Sequence, residues 1–140
     1  MTNLSKLAGA VYYPELEHAP LTVEDKKLNR LMIKPLQDFT PDDVRILTEH
    51  KLYLEHILPI ALRFLQQDLF TKAKFYEGDV LVAVCELLPQ DIPQSLQTDW
   101  QNWIQFLRDF KNSPEYKNIP DNIIQRKITI CIKQHTAKKE

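Results

Sequence analysis

Glycine is nearly absent from this sequence: Gly9 and Gly78 are the only two in 140 residues. Phosphate-cradling loops and tight primed hairpin turns both depend on glycine, so neither class of structure has room here. Cysteine is as scarce, with Cys85 and Cys131 set in the apolar contexts LVAVCELL and ITICIKQ. Such contexts fit buried free thiols rather than a disulfide framework, and they disfavour the reactive thiolate. No HExxH or CxxC pattern occurs, and His18, His50, His56 and His135 are scattered. His50 and His56 stand six apart, off any common helix face, so no metal-ligand set is expected. No apolar run approaches the ~18 residues of a membrane span. The opening MTNLSKLAGAVYYPELEH lacks the apolar core of a signal peptide, and the expected location is the cytoplasm.

What the sequence does hold is proline, nine residues, alongside 44% apolar and 26% charged side chains. Many prolines with few glycines suit helices separated by sharp stops. A chain of this length buries roughly 68% of its unfolded surface, enough for one real core. There is no internal repeat and no linker, so residues 1–140 read as a single domain. Net charge is −1, but it is unevenly spread. Residues 76–125 hold three bases and eight acids, whereas residues 126–140 hold five bases and one acid. An acidic stretch of this kind either solvates helix faces or presents a polarised surface to a charged partner.

Periodicity and end signals give six helices. Thr22, with Asp25 three residues on, starts the first, which Lys34-Pro35 stops. In DFTPDDVRIL, Thr40 is an N-cap, Pro41 fits the first helical position and Asp43 completes a capping box for a helix reaching His50. Asp42 suits the helix dipole. KLYLEHILPIALRFLQQD confines Glu55, His56, Pro59, Arg63, Gln66 and Gln67 to one stripe, with apolar residues elsewhere. That predicts a central, buried helix, bent at Pro59, whose missing hydrogen bond faces water. Gly78 and Asp79 open a helix ending near Leu88, before Pro89. Leu96, Trp100, Trp103, Ile104, Leu107 and Phe110 then mark an amphipathic helix, and the spacing assigns both tryptophans to the core. The tail is ambiguous. Ile128, Ile130 and Ile132 alternate as in a strand, yet no other segment alternates to pair with it, so a helix is assigned. Residues 1–20 read as irregular, with Tyr12, Tyr13 and Pro14 packed onto the body. The expected fold is an all-α, single-domain bundle of about six helices, with a possible strand at the C-terminal end.

Catalytic constellations are lacking. Ser5, Ser95 and Ser113 occupy cap or loop contexts. The pairs Glu24-Asp25 and Asp42-Asp43 are adjacent on helices, about 100° apart, and make better first-turn caps than acid/base partners. No enzyme and no cofactor is expected. The five bases from Arg126 to Lys139 are the one feature favouring nucleic acid, and the acidic block before them opposes it.

Residues 31–88 carry Lys34-Pro35-Leu36, Phe39-Thr40, Asp43 and Arg45, then Leu58-Pro59-Ile60-Ala61-Leu62, then Phe75-Tyr76-Glu77-Gly78-Asp79-Val80-Leu81. In these motifs the segment resembles the immunity proteins of contact-dependent growth inhibition (CDI). The resemblance implies a cytoplasmic protein that neutralises the C-terminal toxin domain of a cognate CDI effector, in many such systems a nuclease, by covering its active site or an exosite. The residues after Pro89 are outside the resemblance. A basic nuclease would be steered by acidic side chains. The candidate toxin-binding residues are therefore Asp91, Asp99, Asp109 and Glu115, followed by Glu77 and Asp79, which also suit capping. No direct contact with nucleic acid or membrane is expected. Composition alone fits two alternatives: a helical protein–protein adaptor, or a nucleic-acid-binding module using the basic C-terminal tail.

Overall fold

The short α1 (Leu4–Ala8) begins a series of eight helices, with no sheet, among residues 2–136, which the computed structural model describes. It falls in the segment read as irregular. Asn3 caps it by accepting the Lys6 N–H at 2.9 Å, and Gly9 closes it at φ +68°. Tyr12 packs on the core as expected, whereas Tyr13 and Pro14 stay exposed. The Tyr13 backbone is what attaches this segment, exchanging two 2.9 Å hydrogen bonds with the buried Asn29 side chain of α2 (Val23–Leu31).

Thr22 caps α2 through the Asp25 N–H, and Thr40 and Asp43 form the full capping box of α3 (Pro41–Glu49). The turn into α4 (Leu54–Gln67) is what separates it from α3. Lys51 takes a left-handed φ of 56°, its N–H reaches Thr48 O, and the Leu52 N–H reaches back to Leu47 O. This pair of bonds is a Schellman closure, here without the usual glycine. Pro59 lies inside α4 on its exposed stripe.

The central helix is α5 (Asp79–Cys85), not α4. All seven residues of α5 are buried, whereas Ile60 and Phe64 of α4 are only half-buried. α3 packs against both α4 and α5, and α8 (Asn122–His135) packs against α5 and α6 (Gln97–Lys111). A short helix so enclosed needs an apolar side chain in every direction, which VLVAVC supplies. α5 ends three residues earlier than its sequence suggests, because Leu88 must be extended before Pro89 and gives its N–H to Asp91. The four-residue α7 (Pro114–Lys117) joins α6 to α8.

The tail is helical. Ile124, Ile128, Cys131, Ile132 and His135 are its buried stripe, while Ile130 is exposed. Lys138, Lys139 and the rest of residues 137–140 of the basic end lie outside the described residues. Cys85 and Cys131 are free and buried, one on α5 and one on α8. A hydrogen bond with Cys131, together with burial, pushes the Cys85 thiol well above its ordinary range, so it is inert as a nucleophile.

His135 closes the α6–α8 seam. The Trp100 Nε1–H donates to His135 Nδ1 at 3.0 Å, which leaves the proton on Nε2, where it meets the Leu87 carbonyl at 2.6 Å. The Trp100 donor demands a bare Nδ1 and hence the neutral ring. Burial lowers the pKa from 6.5, against the opposing pull of the Leu87 carbonyl and the Asp91 charge. The unfolded chain therefore binds a proton that the folded chain refuses. Stability is complete above 6.5 and is lost as pH falls below it. The urea midpoint is expected to be lower at pH 5.5 than at pH 7.5, and His135→Gln should remove most of that difference. An equal pH response in the variant would refute the assignment.

Candidate interaction surface

The segment between α4 and α5 is built as a rigid loop. Asp68 starts it with an Asx turn, accepting the Phe70 N–H at 3.1 Å, while the Thr71 hydroxyl donates to Asp68 O. Lys72 and Glu77 form an isolated antiparallel bridge, and the Gly78 N–H returns to Phe70 O. Gly78 sits at φ +97°, a conformation in which a side chain is strained, and a Cβ there would stand 3.0 Å from Ile124 Cδ1.

Asp79 holds the loop from inside. Only 3% exposed, it accepts the N–H groups of Ala73, Lys74 and Phe75 at 2.7, 2.9 and 2.9 Å. Burial works against its charge, but the backbone donors, Lys74 first, outweigh that and hold its carboxyl below the usual range. The carboxylate is thus spent on the loop and does not face a partner.

Phe75 is fixed outside. Its ring is 61% exposed yet lies over the Arg45 guanidinium, 4.7 Å away, with Lys74 also over the ring. Arg45 is 1% exposed, and its charge is met by Asp42 at 2.8 Å and Glu49 at 2.6 Å. Asp42 also binds Lys27 at 2.5 Å, and Asp43 binds Lys34 at 2.6 Å, so α2, the segment after it and α3 share one charge network, on which the Phe75 ring of the loop rests. Desolvation opposes the charge on Asp42, yet Lys27 and Arg45 together hold its carboxyl low. Asp42 and Asp43 are structural, and Asp42 does more than favour the helix dipole.

Beside the loop is a groove of about 370 Å³. Phe70, Ile119 and Ile124 give it an apolar floor, and Glu77, Glu115 and Asp121 line its edge. Tyr76 forms a wall, and its hydroxyl pKa is raised by desolvation and by the carboxylates of Asp79, Glu86, Glu49 and Asp121, a mark of negative potential. No lysine or arginine lines the groove, and none of its three acids is in an ion pair among the described residues.

Of the six candidate acids, the fold brings Glu77 and Glu115 together here and adds Asp121, which is not one of the six. Asp99 and Asp109 are exposed on α6, ten residues apart, and Asp109 accepts a hydrogen bond from Gln105. Asp91 is occupied by the Leu88 N–H at 2.8 Å and by Lys51 at 2.9 Å. Trp100 and Trp103 are both core residues. In the basic end, Lys127 pairs with Glu86 at 3.1 Å, whereas Arg126 is exposed. Among the described residues there is no cluster that could hold a metal ion, and no helix is long and apolar enough to cross a membrane.

The family described as CDI immunity proteins matches residues 14–108, which include α2 to α5, the loop and most of α6. No curated protein and no solved structure matches the chain.

Proposed function

We propose, from the premise that the chain belongs to the CDI immunity proteins, that it binds and neutralises the C-terminal toxin domain of its cognate effector. The observation that carries this reading is the family match over residues 14–108. It acts in the cytoplasm by occlusion and performs no chemistry. The toxin-facing surface is the rigid 68–79 loop with the acid-edged groove beside it. An exposed aromatic ring fixed on a buried guanidinium is the kind of anchor that dominates interfaces, because little side-chain entropy is left to lose on binding. Glu77 and Glu115, with Asp99 and Asp109 farther off, give the approach a negative field. Such a field suits a basic toxin, and a nuclease is the class whose own substrate demands a basic surface. Asp79 holds the loop together from behind.

The experiment is protection. The toxin domain encoded beside this gene is induced in cells with and without the chain, and the two proteins are co-purified through a tag on one. Survival with a one-to-one complex is the expected result. Death in both cells with no complex would overturn the pairing and move a helical adaptor with another partner to the front.

A further inference from the structure

We infer that the groove beside the loop takes an arginine side chain of the toxin, its stem on the apolar floor and its guanidinium among the edge carboxylates; this rests on the toxin-binding reading above. Three features of the groove converge on that occupant. The floor of Phe70, Ile119 and Ile124 favours an aliphatic stem, since long basic side chains bury their methylenes while the charged head stays at the rim. Glu77, Glu115 and Asp121 supply negative charge that no cation among the described residues satisfies. Tyr76 stands 44% exposed at the wall, a ring face on which a planar guanidinium stacks better than a compact ammonium.

The carboxylates are not equal in what they offer. Asp121 gives one oxygen to the Ile123 N–H at 2.8 Å as the cap of α8, so its free oxygen is a single acceptor. Glu115 is held below its usual range by its own backbone N–H and by Ser113, which keeps it ionised. Glu77 is exposed, on the strand-like return of the loop. An incoming guanidinium therefore meets fixed acceptors at the mouth of a preformed apolar slot. A partner's acidic or purely aliphatic side chain finds either repulsion or an unsatisfied rim.

The test separates the groove from the pairing. Amide spectra of the full chain are titrated with butylguanidinium chloride and with butanol at constant ionic strength. Butylguanidinium should shift the signals of Glu77, Glu115, Ile119 and Ile124, and the Glu77→Gln, Glu115→Gln double variant should weaken this by at least about fivefold, as loss of charge-assisted contacts requires. No shift, or an equal shift with butanol, would overturn the proposal. Calorimetry with the adjacent toxin domain then asks where the arginine comes from. The double variant should bind the toxin at least about tenfold more weakly than the wild type. Toxin binding that the variant leaves unchanged would refute the groove's role while sparing the immunity reading. Absence of any wild-type complex, with butylguanidinium still bound, would refute the toxin as the source instead. A concentration-dependent dimer abolished by the same variant would assign the arginine to a second copy of this chain and overturn the toxin assignment.

Discussion

Asp79→Ala is expected to lower the unfolding free energy by about 3 kcal/mol. Three backbone N–H groups lose their acceptor at once, at a position where the side chain that served them is buried. Asp79→Asn should fall between, because an amide keeps one acceptor but turns a donor toward other donors. Urea unfolding checks the magnitude, and amide exchange of residues 73–75 checks the cause, since those amides should lose protection far ahead of α5. The effect also has a pH signature. The folded-state pKa of Asp79 is lowered from 3.8, so its contribution is present above that value and lost as pH falls below it. The gap between wild type and Asp79→Ala should therefore narrow only below about pH 4. A gap already closed at pH 5.5, or a variant as stable as the wild type, would show that the loop is not held in this way.

Phe75→Ala should do the reverse, leaving the fold and breaking the function. The ring is exposed and contributes to stability mainly by lying over Arg45, which is worth no more than about 1 kcal/mol at such a site. If Phe75 anchors the interface, its truncation costs about 2 kcal/mol or more of binding, near thirtyfold in Kd. Arg45→Met should lose part of the same affinity without touching the partner, because it removes the support that fixes the ring; it also takes one cation from Asp42 and the paired cation from Glu49, and so costs stability that Phe75→Ala does not. Calorimetric Kd values for both variants, beside their urea midpoints, separate the two roles. Wild-type affinity in Phe75→Ala would remove the loop tip from the interface.

Most helices were legible because their ends carry local chemistry. Thr22, Thr40 and Asp43 act within three residues of the backbone groups they bind, so the code is written in the sequence. The 124, 128, 131, 132 and 135 spacing likewise settles the tail as a helix, once Ile130 is seen as the exposed residue that made it look alternating. The capping asparagine and closing glycine of α1 were equally readable, but a five-residue helix leaves no periodicity to draw attention to them.

What was hidden depends on neighbours distant in the chain. Arg45 reads as a surface charge on an amphipathic helix, and only the packing of α2 and the loop around α3 buries it. Asp79 reads as a helix-start acid, which it is, but its carboxylate turns backward to the loop, a use with no short signature. Asp91 was chosen for charge and is consumed by Leu88 and Lys51. The groove joins residues near 70–77 with residues near 115–124, so neither half suggests it alone.

The most direct test of the proposed surface is the hydrogen-exchange footprint of the full chain in complex with its cognate toxin domain. Slowed exchange concentrated in residues 70–77 and 115–124, with little change along the exposed stripe of α4 around Pro59, is the expected result. A footprint centred on that α4 stripe, with the loop and groove exchanging as in the free protein, would contradict it and place the toxin on a different face.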